Sequence, residues 1–249
     1  MGCSRSETDT RVQEVEPVAE TTFLMGTVAK ITIYDEIQDK EIFQRIFERI
    51  RDIEERMTIN DPEMKSEITR LNEAAGKEEV QLSEDTFFIL QKAKYYSELS
   101  QGNFDITIGP IVKLWNIGME DARVPAEEEI DEKLPLVNYQ DLVLNEEKRT
   151  AFLKQEGMMV DLGAIAKGYA ADEAARILKE AGIKHAIINL GGNVVTINTK
   201  PDGSLWRLGL QDPYEPRGKS MGVILLNNQT LVSSGTYERY FEQDGEVYH

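Results

Sequence analysis

The stretch Asp161-Leu-Gly-Ala-Ile-Ala-Lys-Gly-Tyr-Ala-Ala-Asp172 places one carboxylate, two glycines and one lysine where a helix is predicted to begin. Downstream, apolar residues recur at three- and four-residue intervals as far as Leu178, and Gly182 is a typical helix stop. Free N–H groups at a helix start attract anions, and Lys167 adds a positive charge, so the turn suits a phosphate or diphosphate. Asp161 could hold a ligand hydroxyl or a metal, or it could simply cap the helix, and this stretch alone leaves these alternatives open.

Length and composition describe an ordinary globular chain. Its 249 residues, 41% of them hydrophobic, are enough for one large domain or two small ones, and no apolar run approaches the length that spans a bilayer. The net charge of −17 argues against a general nucleic-acid binder, because phosphate backbones require a basic surface. A phosphate-bearing ligand would therefore need locally placed cations or a divalent metal.

The N-terminal residues 1–20 are polar, acidic and without periodicity, so we predict a disordered tether followed by one domain over residues 21–249. Gly2-Cys3-Ser4 resembles the end of a bacterial lipoprotein signal, although the apolar segment that normally precedes it is absent. Met1-Gly2 with Ser6 also fits an N-myristoylation pattern. A cysteine without any role in a flexible terminus is the third alternative.

Hydrophobic spacing predicts a mixed α+β fold. Helical patterns cover residues 40–57 and 83–100, and acidic residues 119–140 suggest a surface excursion with a short helix. Strand patterns are found at Thr27–Tyr34, Leu142–Leu144, Thr150–Lys154, Met158–Val160, Ala186–Asn189, Val194–Asn198, Trp206–Leu210, Met221–Leu226 and Thr230–Ser234, with a final pair at Tyr237–Glu242 and Glu246–His249. We expect the helix after Asp161 to pack on a mostly antiparallel sheet.

Five separated groups of motifs combine along the chain. They are Phe23-Leu24-Met25-Gly26-Thr27; Asn60-Asp61-Pro62 with Ser66-Glu67-Ile68-Thr69-Arg70-Leu71-Asn72; Gly102-Asn103-Phe104-Asp105-Ile106-Thr107-Ile108-Gly109-Pro110 with Leu114-Trp115; the Asp161–Asp172 turn with Asn189-Leu190-Gly191-Gly192-Asn193; and Ser233-Ser234-Gly235-Thr236-Tyr237-Glu238-Arg239-Tyr240-Phe241 with Tyr248-His249. In this order and spacing they closely resemble the FAD:protein FMN transferase (ApbE) family, from about Thr22 to the end.

The resemblance implies a bacterial, magnesium-dependent, flavin-handling enzyme outside the cytoplasm, often a membrane-anchored lipoprotein. Such an enzyme breaks the diphosphate of FAD, passes the FMN phosphoryl group to a threonine hydroxyl of a target flavoprotein, and releases AMP. It implies a two-part, T-fold-like molecule, which agrees with the α+β prediction. It also favours a periplasmic protein lipidated at Cys3 and anchored to the inner membrane over a myristoylated one.

By resemblance, Asp161 and Lys167 contact FAD, Asp161 is also a candidate catalytic residue, and the Ala164 carbonyl oxygen belongs to the Mg²⁺ shell. Met25 suits packing on an aromatic ring, or is simply part of the core. His249 is a candidate base for the incoming hydroxyl or a donor to a phosphate oxygen.

The motif Phe104-Asp105-Ile106-Thr107 would line the flavin or adenine pocket, with its apolar residues facing a ring and its polar ones the ring edge. From composition alone it also fits a strand buried through Phe104 and Ile106. Arg239 could meet a phosphate, or it could pair with one of the many carboxylates. Asn193 and Glu238 are expected to hold loops together.

Two departures from the family matter. Asn60 occupies the FAD-contacting position where many members carry a stacking aromatic residue, and two residues are inserted before Ser66. A loosely held FAD could admit water, so an FAD pyrophosphatase that gives FMN and AMP is an alternative.

The family also continues past the position of His249 into a segment with metal-binding residues, so we expect a truncated sequence. A non-catalytic periplasmic FAD-binding protein is the remaining alternative.

Overall fold

The computed structural model describes residues 16–61, 63–216, 218–236 and 239–249. Within these ranges the helices are α1 Ile42–Met57, α2 Glu67–Glu73, α3 Glu84–Leu99, α4 Gly109–Trp115, α5 Glu127–Lys133 and α6 Ala166–Glu180. The strands are β1 Val18–Leu24, β2 Thr27–Ile33, β3 Val80–Gln81, β4 Leu142–Asn145, β5 Thr150–Leu153, β6 Ala186–Leu190, β7 Asn193–Ile197, β8 Trp206–Gln211, β9 Ser220–Leu226, β10 Thr230–Val232, β11 Phe241–Gln243 and β12 Glu246–Tyr248. Residues 1–15, which include Cys3, lie outside the described residues.

The main sheet has the order β1-β2-β6-β7-β10, and every neighbouring pair is antiparallel. Strand β2 shows why the sequence forms it: Ala29, Ile31 and Ile33 are fully buried, whereas Val28 and Lys30 on the other face are exposed. The predicted α+β fold with a mostly antiparallel sheet is confirmed.

Helices α1 and α6 pack against each other and against the buried face of this sheet. Helix α1 contributes Ile46, Ile50 and Ile53, all fully buried. Helix α6 contributes alanines such as Ala170 and Ala174, whose small side chains allow the two helices to approach closely. This packing places the end of α1 and the start of α6 side by side.

Smaller layers complete the fold. Strands β3, β5 and β4 form a second antiparallel sheet, while β8–β9 and β11–β12 are separate hairpins. The buried Trp206 of β8 meets Tyr34 in an edge-on aromatic contact, with ring centroids 4.9 Å apart. No helix in the described ranges combines the length and apolarity that a membrane crossing needs.

Several elements differ from prediction. The predicted tether ends inside β1, which begins at Val18; this edge strand is mostly exposed, so it lacks the alternation that reveals a strand. The predicted strand Met158–Val160 makes only a single parallel bridge, from Met159 to Ile108. The unpredicted helix α2 begins after Ser66, whose hydroxyl accepts a hydrogen bond from the Thr69 N–H at 2.9 Å.

Candidate active site

A cavity of about 430 Å³ lies at the start of α6. Five parts of the chain line it: the β1–β2 turn, the end of α1, the segment after α4, the turn before α6, and one arginine near the C-terminus. The lining residues are Met25, Gly26, Glu54, Met57, Thr58, Ile59, Asn60, Asp61, Gly118, Met119, Asp161, Leu162, Gly163, Ala166, Lys167 and Arg239. Asn60, Asp61, Met119 and Gly163 are exposed, so the cavity opens to solvent.

The turn before α6 is held by backbone hydrogen bonds. The Asp161 N–H donates to the Ile106 carbonyl oxygen at 2.8 Å, and the Gly163 N–H donates to Asp161 Oδ1 at 2.7 Å. Asp161 therefore stabilises the turn rather than acting as the helix cap, which is Ile165. Helix α6 begins at Ala166, so Lys167 occupies its first turn, as the sequence predicts.

Asn72 positions this turn, a role that was not predicted from the sequence. Its Nδ2 donates to the Val160 carbonyl oxygen at 3.0 Å, and the Val160 N–H donates to its Oδ1 at 2.7 Å. The side-chain amide thus pairs with the backbone as a neighbouring strand would, directly before Asp161. The only sequence signal was its place at the end of the Ser66–Asn72 motif.

The charge of Lys167 is disfavoured in this environment. Burial lowers its pKa, and the neighbouring positive charge of Arg239 lowers it further, against the opposing effect of Asp161 and Glu54. A bound anion would reverse part of this effect, because it favours the charged form of the amine. Lys167 and Arg239 therefore provide positive charge for a phosphate group, in a cavity that the carboxylates of Glu54, Asp61 and Asp161 also line.

Met25 and Asn60 both line this cavity, as their predicted contacts with FAD require. Met25 has a left-handed backbone, with φ 53°, and begins the turn between β1 and β2. The Lys113 ammonium donates to the Ile59 carbonyl oxygen at 3.0 Å and lies 3.4 Å from Asn60 Oδ1. None of the cavity-lining residues in the described ranges is aromatic.

The residues Phe104, Asp105, Ile106 and Thr107 do not line this cavity, and they form a turn instead of a strand. Asp105 accepts from the Thr107 N–H and hydroxyl at 2.8 and 2.7 Å, and from the Tyr139 N–H at 2.8 Å. Thr107 also accepts from the Asn138 N–H at 2.8 Å. Ile106 is buried in the core. Their role in binding FAD stays a prediction.

Two other predicted residues lie in separate depressions. Ala164 and Phe104 line one of about 400 Å³ together with Tyr96, Leu99 and Ile165. His249 lies in another, with neighbours that include Trp115 and Tyr248. His249 is therefore not among the residues that line the cavity of Lys167, and its catalytic role stays a prediction.

Asn193 is not among the residues that line the cavity. Asn193 is buried at the start of β7, and Glu238 lies outside the described residues. Within the described ranges, no three His, Cys, Asp or Glu side chains converge in a way that could hold a metal ion.

Comparison with known proteins agrees with this architecture. The model of the ApbE family matches residues 25–249. The chain is 39% identical to the FAD:protein FMN transferase of Klebsiella pneumoniae (strain 342) over 226 residues, covering 91% of this chain and 68% of that protein. It is 30% identical to the FAD:protein FMN transferase of Treponema pallidum (strain Nichols) over 251 residues, covering 94% and 69%.

Solved structures show the same fold. The crystal structure of the ApbE protein from Thermotoga maritima MSB8 has a TM-score of 0.86 at 30% identity, covering 94% of this chain and 75% of that one. The flavin transferase ApbE from Vibrio cholerae has a TM-score of 0.72 at 25% identity, covering 80% and 64%. The chain therefore belongs to the ApbE family.

Proposed function

We propose that this chain is an FAD:protein FMN transferase, which moves FMN from FAD to a target protein and releases AMP. The observation that carries the proposal is the solvent-open cavity at the start of α6, where Lys167 and Arg239 lie together in an otherwise acidic chain. Relatives of the same family carry this activity in their names.

The acceptor group in this proposal is a threonine hydroxyl. Its oxygen attacks the phosphorus of the FMN half, the bond from that phosphorus to the bridging oxygen breaks, and AMP leaves with this oxygen. The hydroxyl proton passes to solvent or to a base. Phosphoryl transfer depends mainly on positioning and on neutralising charge. Lys167 and the N–H groups at the start of α6 would hold the diphosphate, and the open rim would admit a loop of the acceptor.

Magnesium is part of the proposal through the family resemblance alone, with the Ala164 carbonyl oxygen as a ligand. The described residues do not build a complete metal site, because no cluster of ligating side chains is present among them and Ala164 lines a different depression from Lys167. We therefore assign the binding of the diphosphate to Lys167 and to the α6 backbone, and no step to the metal.

Hydrolysis of FAD is the second candidate, and Asn60 favours it. Asn60 lies at the rim of a cavity whose described residues include no aromatic ring to hold a flavin or adenine by stacking. Loss of a stacking ring weakens binding by roughly 1–3 kcal/mol on the scale measured for nucleic-acid bases. Water could then reach the phosphorus in place of the threonine hydroxyl.

One incubation separates these functions. The purified chain is mixed with FAD and Mg²⁺, with and without a peptide that presents one threonine, and the products are identified by mass spectrometry. AMP with flavinylated peptide supports the transferase, whereas AMP with free FMN supports the hydrolase. Intact FAD that remains bound supports a carrier without turnover, and a chain that neither binds nor splits FAD contradicts all three. A peptide with valine in place of threonine is the matched control.

We also propose an extracytoplasmic location with a lipid anchor on Cys3. The support is the sequence Gly2-Cys3-Ser4 together with the family resemblance. Expression of the native gene, with whatever it encodes ahead of Gly2, in a bacterial host and mass spectrometry of the membrane fraction test this proposal. A lipid-modified Cys3 that is lost in Cys3→Ser supports it, and an unmodified chain in both variants contradicts it.

A further inference from the structure

Two glycines create the space through which the Arg239 side chain enters the cavity. Gly26 and Gly118 both have positive φ, at 66° and 89°. A Cβ atom at position 26 would lie 2.9 Å from Arg239 Nη2, and one at position 118 would lie 3.4 Å from Arg239 Cδ. The arginine stem therefore passes Gly118, while its charged end reaches the β1–β2 turn at Gly26.

Arg239 and Lys167 form a pair of like charges in this cavity. Both line it, and the positive charge of Arg239 helps to lower the pKa of Lys167. In the part of the chain that the structure describes, no carboxylate lies within salt-bridge distance of either side chain, whereas Arg49 and Arg176 each pair with two or more. The chain has 45 acidic residues against 28 basic ones, so carboxylates are not scarce. Two cations held together in this way are stabilised when an anion binds between them.

We propose that Arg239 is a second diphosphate-binding residue, which contacts the phosphates of FAD together with Lys167. This inference rests on the proposed function, because it takes FAD as the ligand. A guanidinium group offers planar, two-point hydrogen bonding to phosphate oxygens, which an ammonium group lacks. Of the two sequence-based alternatives for Arg239, the geometry thus favours a phosphate over an ordinary surface ion pair.

Binding of two flavins to the Arg239→Met variant tests the inference. FAD carries the diphosphate and riboflavin carries no phosphate, and both can be titrated by flavin fluorescence. The dissociation constant for FAD is expected to rise about tenfold or more, because the variant loses a charge-assisted hydrogen bond to the diphosphate. Riboflavin binding is expected to stay unchanged. The Arg239→Lys variant is expected to bind FAD more tightly than Arg239→Met and more weakly than wild type. Arg207→Met, at an exposed arginine of β8 outside the cavity, is the control and should bind FAD normally.

Substitution of the glycine tests the proposed path of the side chain. In Gly26→Ala the new methyl group meets the guanidinium, so FAD binding should weaken in the wild-type background and change little in the Arg239→Met background. Gly203→Ala carries the same kind of backbone strain, with φ 81°, but a Cβ there meets nothing within 4 Å. That control should lower thermal stability and leave FAD affinity unchanged.

Unchanged FAD affinity in Arg239→Met would overturn the inference and leave the proposed function intact. Equal loss of FAD and riboflavin binding would also overturn it, because it would show that Arg239 maintains the shape of the cavity. A wild-type chain that binds no FAD would instead refute the proposed function, and the inference would fail with it.

Discussion

Arg49 and Asp85 form a two-point ion pair, with Nη1 2.7 Å from Oδ2 and Nη2 2.6 Å from Oδ1. The same guanidinium donates from Nε to Glu173 at 2.9 Å, and Tyr169 donates its hydroxyl to Asp85. These contacts connect α1, α3 and α6 and involve side chains that are mostly buried. The network therefore fixes α6 relative to α1, and these are the two helices that provide Lys167 and Glu54 to the cavity.

Arg49→Met is expected to lower the free energy of unfolding by roughly 2–4 kcal/mol, because it leaves partly buried carboxylates without a partner. Arg45→Met, which removes a largely exposed pair with Asp39, should lower it by less than about 1 kcal/mol. Urea denaturation of the two variants measures the difference. Equal effects would show that the Arg49 network is not important for packing.

The pH dependence of the Arg49 contribution follows from Asp85. The hydrogen bonds from Arg49 lower the pKa of this carboxyl group below its ordinary value, which is about 3.9. The stability that the pair provides is therefore complete above that value and is lost as the pH falls through the lower pKa of the folded state. The gap in unfolding free energy between wild type and Arg49→Met should narrow on acidification, and a constant gap down to strongly acidic pH would contradict this assignment.

Asn72→Ala removes both hydrogen bonds to Val160 and should lower the free energy of unfolding by roughly 1–3 kcal/mol. FAD affinity should fall as well, because Val160 leads directly into Asp161. Asn103→Ala loses one exposed hydrogen bond, to the Ser100 carbonyl oxygen, and is the matched control. Fluorescence titration of both variants decides the point: if Asn72→Ala binds FAD as tightly as Asn103→Ala, Asn72 does not position the turn.

Lys167→Met should have opposite effects on stability and binding. The pKa of Lys167 is lower in the folded protein than in the unfolded chain. The unfolded chain therefore binds the proton of Lys167 more tightly, and the charged amine lowers the stability of the folded protein without ligand. The variant should therefore be more stable than wild type at neutral pH, and the advantage should shrink as the pH rises towards the ordinary lysine value of about 10.4. FAD affinity should fall about tenfold or more. Calorimetry across this pH range, with FAD titration at pH 7, checks both effects; lower stability together with unchanged affinity would contradict the assignment.

Gly109→Ala tests the packing behind the turn. A Cβ at this position would lie 2.6 Å from the Met159 carbonyl oxygen, and the Gly109 N–H donates to that same oxygen at 3.1 Å. Overpacking of this kind lowers stability by roughly 1–3 kcal/mol. Gly222→Ala, where a Cβ meets nothing within 4 Å, should be close to neutral. Similar thermal midpoints for the two variants would contradict the close approach.

The spacing of residues along the sequence predicted the elements whose structure depends on near neighbours in the chain. The isoleucines of α1 recur at helical intervals, and the lysine at position 167 follows a turn motif, so both were visible in the sequence. Residues 104–107 were not, because the Asp105 side chain bonds to the distant Tyr139 backbone and holds a turn where composition also fits a strand. Two other contacts likewise depend on tertiary structure: the pairing of Asn72 with Val160 and the contact of Arg239 with Gly118. Neither contact can be predicted from the identity of the single residues.

The central claim is that the start of α6 holds the diphosphate of FAD. A crystal structure of the chain with FAD tests it most directly. We expect the diphosphate beside Lys167 and the Asp161–Gly163 turn, inside the cavity that Met25 and Asn60 line. FAD bound elsewhere, such as in the depression of Trp115 and His249, or an empty cavity at saturating FAD, would contradict the claim.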